Sequence, residues 1–412
     1  MTRDSKPVKN SQYGFMLWHG MTLGDLRRFF KKRPALHWTK MARLMGLPFS
    51  GAYNSLLGTL DSLIYDSRVR NTQIEQPPLF ILGYWRSGTT LLHNLLHQDP
   101  NFQSLNTYQA LFPSHFLLTE KLVTRIPLLF SSRPMDNMKV TWTSPQEDDM
   151  ALCIQSQISA YMLLADPVQR DWFWKCLDLS QLSSDQYQNW KDSFLGLLKR
   201  LTYRDRRQIL IKSPSHTYHI PQILELFPDA RFVYIHRNPY HVFRSSVHLR
   251  RRGIEENCLG KSEFEFEGHE EDVIASFKYG FEKYERDRRL IPDNRLHEVA
   301  FEDLEVDPLA TIESIYESLE LPGFDVVEKA LTPEIEKLRA YRKNQFADDP
   351  AWVNRVYEEL QAFYERFGYP APDTAAPSVK QPVSQPYLLK TDSPRKPSAA
   401  SAELEKVSEK AG

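Results

Sequence analysis

One cation, one glycine and three hydroxyl groups stand side by side in the segment Arg86, Ser87, Gly88, Thr89 and Thr90. An apolar run at 79–82 precedes them and leucines at helical spacing follow, which predicts a buried strand, a tight turn and a helix. Such a turn aims backbone N–H groups at an anion, and a glycine allows close approach. The segment therefore predicts a phosphate-binding loop, although the capping of an ordinary helix is the alternative explanation.

The loop differs from the Walker A motif of nucleoside-triphosphate enzymes. That motif has a lysine directly after its second glycine, followed by a hydroxyl that holds Mg²⁺. Here the cation, Arg86, precedes the Ser-Gly pair, and Thr89 follows Gly88. The sequence shows no clear Mg²⁺-binding partner strand. A P-loop kinase or a related nucleotide enzyme is therefore the weaker alternative.

The composition of the chain limits the classes of function. A net charge of −1 over 412 residues gives no basic field for nucleic acid, so we expect no nucleic-acid partner. No apolar run reaches the roughly 18–20 residues of a membrane helix, and the segment 14–18 is too short for a signal sequence. The three cysteines are scattered without a CxxC pair, which is typical of a reducing compartment. These features predict a cytoplasmic protein.

Short apolar runs return at 208–212, 231–236 and 296–301, and segments with helical periodicity separate them. This alternation predicts an α/β fold, with a doubly wound parallel sheet flanked by helices as in P-loop-like nucleotide folds. Asp307 followed by Pro308 predicts a helix start, because Asp caps a helix and proline suits its first turn.

The same patterns predict the domain organisation. Residues 1–76 form an N-terminal helical layer, and residues 77–370 form the α/β domain. Within that domain, residues 101–207 are an aromatic-rich helical insertion on the substrate side. Residues 371–412 are rich in Pro, Ser, Ala and Lys, which predicts a disordered tail.

A basic amphipathic segment lies in the N-terminal layer. Its apolar and basic faces are formed by Leu23, Leu26, Phe29 and Phe30 and by Arg27, Arg28, Lys31 and Lys32, respectively. A helix of this kind can contact a membrane surface. The favoured interpretation is a helix that packs on the catalytic domain and exposes its basic face to solvent.

Three cations stand at or just beyond the carboxyl ends of predicted strands: Arg86, Lys212 and Arg237. They are far apart in sequence, but the strand ends of one parallel sheet open into one crevice, where ligands bind. This convergence predicts a single anion-binding site.

Several motifs together resemble a known family. They are Arg86-Ser87-Gly88-Thr89-Thr90, Leu210-Ile211-Lys212-Ser213-Pro214-Ser215-His216, Arg237 with Ser245 eight residues later, and the segment from Phe301 to Pro308. Their order and spacing resemble sulfotransferases that use 3′-phosphoadenosine 5′-phosphosulfate, in the bacterial and carbohydrate branch of that superfamily. The resemblance covers residues 77–320. It implies transfer of a sulfonate group to a hydroxyl or amine of a glycan, lipid or small molecule, with no metal required.

The resemblance also implies the roles of the site residues. Arg86 would hold the 5′-phosphosulfate, and Lys212 would contact the sulfonate unless it is a surface lysine. Arg237 and Ser245 would grip the 3′-phosphate, since a guanidinium fork suits a dianion. Lys343 belongs either to a loop that closes on this phosphate or to a solvated charge run, which is favoured. The loop residues that would bind the donor beside Arg86 are Ser87, Gly88, Thr89, Thr90 and Leu91.

Two residues are candidates for the base that takes the acceptor's proton. Relatives carry a glutamate shortly after the loop helix, where this chain has Gln109 and no carboxylate. Glu147, in an acidic cluster, and His216, with an ordinary pKa near about 6.5, are the substitutes. Their structural alternatives are a helix cap and a backbone-bonded histidine, and we favour Glu147 slightly. The missing glutamate also leaves open an inactive protein that binds through its nucleotide cleft.

Overall fold

The computed structural model describes residues 16–126, 141–260, 268–339 and 349–372. Within these ranges five strands form one sheet: β1 (Leu79–Leu82), β2 (Phe102–Gln103), β3 (Gln208–Lys212), β4 (Arg231–His236) and β5 (Leu296–Ala300). All neighbouring strands are parallel, in the order β2-β3-β1-β4-β5. The predicted doubly wound parallel fold is confirmed. Because β3 and β4 flank β1, the site expected at the strand ends falls where the winding reverses.

Helices cover both faces of the sheet. In the described ranges the α-helices are α1 (Leu23–Lys31), α2 (Met41–Arg70), α3 (Thr89–Leu96), α4 (Thr107–Leu111), α5 (Phe116–Val123), α6 (Asp148–Gln155), α7 (Arg170–Leu177), α8 (Ser184–Arg204), α9 (Ile220–Leu226), α10 (Pro239–Asn257), α11 (His269–Asp287), α12 (Phe301–Val306), α13 (Pro308–Ser318), α14 (Phe324–Arg339) and α15 (Pro350–Phe367). A 3₁₀ turn over Pro214–Tyr218 follows β3.

The side chains of the central strand alternate between two apolar cores. Phe80 and Leu82 belong to one core, together with Trp190, whereas Leu79 and Ile81 belong to the other. All four strand residues are fully buried. A strand covered on both faces has a continuous apolar sequence. Its rigid packing fixes the start of the loop that follows.

Two sequence predictions can be compared closely with the structure. Asp307 caps α13 by accepting a hydrogen bond from the Ala310 amide at 3.0 Å, as predicted. The strand predicted at 296–301 ends one residue earlier, because Phe301 begins α12. The two-residue strand β2 lies in a segment predicted to be mostly helical, and it is too short to produce a period of two.

The described part of the N-terminal region is largely helical, and α1 packs on the rest of the molecule. Leu26 and Phe29 of α1 are buried in a core that also contains Ile154 of α6. Leu23 and Phe30, from the same predicted face, remain exposed. Among the described residues no helix is both long enough and apolar enough to cross a membrane. The domain boundaries stay predictions, and Lys343 and the segment 373–412 lie outside the described residues.

Candidate active site

The loop between β1 and α3 departs three times from ordinary backbone geometry. Gly83, Arg86 and Gly88 all have positive φ, at 142°, 72° and 105°. The Ser87 amide and hydroxyl both donate to the Tyr84 carbonyl, at 3.1 and 2.8 Å. These two hydrogen bonds from the buried Ser87 hold the turn together. A non-glycine residue at positive φ is strained, and strain of this kind is typical of functional loops.

Gly88 is required by space as well as by conformation. A Cβ atom at this position would lie 2.2 Å from Cδ2 of Phe301, the first residue of α12. The Arg237 guanidinium lies over the same Phe301 ring, 4.2 Å from its centroid. The phosphate loop and Arg237, the residue after β4, therefore pack against the same aromatic ring.

The structure brings Arg86, Arg237 and Ser245 together. Arg86 Nε donates to Ser245 Oγ at 2.9 Å, and the Arg86 carbonyl accepts from an Arg237 terminal nitrogen at 3.4 Å. Burial lowers the pKa of Arg237, and the nearby Glu302 carboxylate partly offsets this shift. The loop after β1 and the start of α10 thus form one cationic surface.

Lys212 ends β3 and lies in the interior rather than on the surface. Its side chain is 2% exposed, and Nζ lies 2.5 Å from Oε1 of Glu147. The same ammonium donates to Thr90 Oγ1, in the first turn of α3, at 3.4 Å. One buried cation therefore contacts both the phosphate loop and a candidate base.

Glu147 stands at the start of α6, but its side chain makes no capping hydrogen bond. One carboxylate oxygen faces Lys212, and the other accepts a hydrogen bond from the Tyr161 hydroxyl. The carboxylate is 13% exposed. The acidic cluster does lie at the N-terminus of α6, but the Glu147 side chain is directed to Lys212 and Tyr161 rather than to the helix amides.

His216 lies behind this pair, in the turn that follows β3. Its Nε2 donates to Asp148 at 2.8 Å, and the ring packs against Phe80 and Phe194. Burial lowers the pKa of His216, but the Asp148 carboxylate outweighs it and raises the pKa above the ordinary value. Ser213 also donates to Asp148, at 2.6 Å. The hydrogen bonds from His216 and Ser213 to Asp148 hold the first turn of α6 against the end of β3.

Asp149, the next residue of α6, is buried beside Asp148. Burial and the neighbouring Asp148 charge raise the pKa of Asp149 to about 7. Its Oδ2 atom has no hydrogen-bond partner among the described residues. Its amide donates to Ser213 Oγ at 3.1 Å. The acidic cluster therefore contains three carboxyl groups in three different environments.

The structure supplies a buried carboxylate next to Gln109 from another helix. Gln109 Nε2 and Asn106 Nδ2 donate to Glu120 of α5, at 3.0 and 2.6 Å. Glu120 also pairs with Arg204 at 2.9 Å. These contacts engage Glu120 in holding α4 and α8 together.

Two further residues that the sequence predicted to bind the donor can now be placed, and two residues near the site were not predicted. Thr89 is buried at the start of α3, and Leu91 is partly buried against the second core. Thr217 accepts from the Gly83 amide at 2.9 Å and was missed. Tyr161 was also missed, because only the fold brings it to Glu147.

A family model described as "Sulfotransferase family" matches residues 77–325. The chain belongs to the sulfotransferase family. A curated relative of 31% identity is the omega-hydroxy-beta-dihydromenaquinone-9 sulfotransferase Stf3, found in Mycobacterium tuberculosis and in Mycobacterium bovis. The match covers 88% of this chain and 95% of that relative.

Two solved sulfotransferases share the fold. STF9 from Mycobacterium avium has a TM-score of 0.59 at 22% identity, covering 76% of this chain and 81% of its own. STF1 from Mycobacterium tuberculosis has a TM-score of 0.57 at 21% identity, covering 86% and 95%. The predicted family is confirmed, and the chain is a sulfotransferase enzyme rather than a kinase.

Proposed function

We propose that this sulfotransferase uses 3′-phosphoadenosine 5′-phosphosulfate and sulfates a hydroxyl group on an apolar, lipid-class acceptor. The observation that carries the donor assignment is the convergence of three cations. Arg86, Lys212 and Arg237 stand at or just beyond the carboxyl ends of three adjacent strands, and hydrogen bonds join Lys212 and Arg237 to the loop that carries Arg86.

The residues present fit a bisphosphorylated donor. The start of α3 offers backbone amides. Gly88 lets the loop pack directly on Phe301, because a Cβ atom there would lie 2.2 Å from Cδ2 of that ring. Arg86 and Thr90 stand on either side of Gly88 in the sequence and suit a 5′-phosphosulfate. Arg237 and Ser245 lie beside the loop and suit a 3′-phosphate, because a guanidinium can bind a dianion with two parallel hydrogen bonds. Predicted donor contacts of Ser87, Thr89 and Leu91 belong to the same proposal.

The donor supplies the sulfonate group and leaves as adenosine 3′,5′-bisphosphate. In the transfer, a bond forms between the acceptor oxygen and sulfur, and the bond from sulfur to the phosphate oxygen breaks. Glu147 takes the acceptor's proton. Arg86 and Lys212 stabilise the negative charge that develops on the departing oxygen and on the sulfonate. Electrostatics and positioning thus carry the reaction, as in phosphoryl transfer.

Glu147 is the better placed of the two base candidates. Its carboxylate is partly exposed and lies 2.5 Å from the Lys212 ammonium, which also contacts the phosphate loop. His216 is 1% exposed, and its Nε2 is engaged by Asp148. We infer that His216 positions α6, and with it Glu147, through the Asp148 carboxylate.

The acceptor class rests on the relative whose name gives its substrate as an omega-hydroxy dihydromenaquinone. A molecule of that kind carries its reactive hydroxyl at the end of an apolar chain. A glycan hydroxyl or an amine is the alternative. The protein acts in the cytoplasm in this proposal, which the three free, buried cysteines support.

Transfer of radiolabelled sulfonate tests the proposal. The acceptors are a long polyprenyl alcohol in detergent micelles, a free monosaccharide and an alkylamine. We expect a kcat/KM for the polyprenyl alcohol at least about tenfold above that for the other two. Preferred labelling of the sugar or the amine would refute the acceptor class. Phosphoryl transfer from ATP without sulfonate transfer would refute the donor.

A further inference from the structure

Within the described ranges α2 is the longest helix, and most of its large apolar side chains are exposed, whereas Leu47 and Val69 are buried. Its buried side includes three polar residues, Arg43, Asn54 and Asp61. No residue from 44 to 60 is charged. The usual surface helix has the opposite arrangement, with its apolar stripe toward the core.

The exposed large apolar side chains of this helix form one continuous stripe with Trp38, which lies three residues before the first residue of the helix. We define the α2 face as Trp38, Met41, Met45, Phe49, Tyr53, Leu56, Leu60, Leu63 and Ile64. Along the helix, successive members are mostly three or four residues apart, so they lie on one side over roughly 35 Å. Trp38, Phe49 and Leu63 are 77%, 78% and 79% exposed. An apolar surface of this extent on a folded chain marks an interaction site.

Polar contacts on the buried side fix this orientation of α2. Asp61 forms an ion pair with Arg200, and Asn54 donates to the His19 and Met21 carbonyls at 2.7 and 3.0 Å. Rotating the helix to bury its stripe would break these contacts and leave a buried carboxylate without its partner. The outward apolar face is therefore built into the fold.

Cations flank the stripe. The segment 23–60 contains seven Lys or Arg residues and one Asp. Arg27, Lys31 and Arg33 are exposed on or just after α1, which packs against α2 near Gly51. Arg68 and Arg70 are exposed in the last turn of α2. Pairing with a second copy, parallel or antiparallel, would bring these cations together. An anionic lipid surface instead complements both the apolar stripe and its basic flanks.

We propose that the α2 face docks the enzyme on an anionic membrane surface. The helix would lie along the plane of the membrane, with the stripe at the boundary between headgroups and acyl chains and the cations among the headgroups. The apolar part of this interface lies on α2 and not on α1, where membrane contact was the less favoured interpretation of the sequence and where Leu26 and Phe29 are buried. Docking would give the enzyme access to a lipid acceptor, but the surface stands independently of which acceptor is used.

Vesicle flotation of the full-length protein tests the proposal without donor or acceptor. The vesicles are phosphatidylcholine alone or phosphatidylcholine mixed with phosphatidylglycerol. Three proteins are compared with the wild type. One carries Phe49→Ser, Leu56→Ser and Leu63→Ser, the second carries Arg27→Glu and Lys31→Glu, and the control carries Val306→Ser, a similarly exposed apolar side chain outside the α2 face.

We expect the wild type and the control to float with the mixed vesicles. The triple serine variant should lose at least about tenfold in partitioning, since binding scales with buried apolar area. The charge-reversal variant should lose roughly fivefold or more per cation, and only on the mixed vesicles. The thermal midpoints should stay close to that of the wild type, because all of these side chains are exposed.

Three results would overturn the proposal. The wild type could fail to float, or the serine variant could float equally well. The wild type could be a dimer that the serine substitutions dissociate, which would make the α2 face an interface between copies. If the wild type fails to float, a serine variant that melts well below it would mean that another segment of this chain covers the stripe.

Discussion

Replacing Glu147 by glutamine separates its basicity from its shape. The amide oxygen can still accept from Lys212, whose Nζ lies 2.5 Å from the native carboxylate oxygen. Tyr161 can still hydrogen-bond to the other end of the group. Only the negative charge and the ability to take a proton are lost. We therefore predict that Glu147→Gln lowers kcat by roughly 10²–10⁴-fold, the range for loss of a general base.

The stability of this variant can be bounded from the same contacts. Lys212 is 2% exposed and would lose its counter-charge but keep an acceptor. The free energy of unfolding should fall by about 1–3 kcal/mol, less than the roughly 3–5 kcal/mol expected when a buried ion pair loses one partner entirely. Glu147→Ala is the matched comparison, and it should show the larger loss.

The assay is steady-state transfer of radiolabelled sulfonate, with thermal melting and titration of adenosine 3′,5′-bisphosphate as controls. Affinity for the bisphosphate should be unchanged in Glu147→Gln, because the charge removed acts on the acceptor side. His216→Ala should have a milder effect on kcat. If His216→Ala abolishes transfer and Glu147→Gln is nearly silent, the assignment of the base is wrong.

Further substitutions test the loop and the acidic cluster. Arg86→Ala should lower kcat by roughly 10²-fold or more with the fold intact, and Arg86→Lys should keep part of the activity; near-normal transfer in the alanine variant would refute the role of the loop. Gly88→Ala should lower the thermal midpoint and abolish bisphosphate binding, because its Cβ would lie 2.2 Å from Phe301. Gly196→Ala is the control, because a Cβ at that helical position would have no atom within 4 Å. This variant should melt at or above the temperature of the wild type. The pKa of Asp149 is raised from 3.8 to about 7, so between pH 3.8 and about 7 the native state holds a proton that the unfolded chain has released. The free energy of unfolding should therefore fall as the pH rises through this range, by about 4 kcal/mol in total. Asp149→Asn should flatten this decline in melting experiments, and an unchanged pH profile would show that Asp149 does not titrate in this way.

The sheet and the cationic crevice were predictable from local sequence. Strands 79–82, 208–212 and 231–236 were predicted at the bounds that the structure shows. They are apolar runs buried on both faces, and such runs end abruptly at polar residues. The cations at the ends of these strands could be assigned to one site because the carboxyl ends of parallel strands open into one crevice.

The contacts that assemble the acceptor side were not predictable in the same way. Glu147 and Lys212 are 65 residues apart, and they meet only because α6 packs against the end of β3. Tyr161 joins them from a 3₁₀ turn that has no motif of its own. The orientation of α2 is set by the pairing of Asp61 with Arg200, 139 residues away. Pairings over such distances depend on the tertiary fold, which local periodicity does not encode.

The affinity for adenosine 3′,5′-bisphosphate, compared with that for AMP and measured by calorimetry in EDTA, tests the donor crevice most directly. We predict that the bisphosphate binds about 10- to 100-fold more tightly, because charge-assisted hydrogen bonds from Arg237 and Ser245 to the 3′-phosphate are absent with AMP. Arg237→Ala should remove most of that difference and leave AMP binding nearly unchanged. Equal affinities in the wild type, or binding that requires Mg²⁺, would contradict the assignment of the crevice to a sulfonate donor.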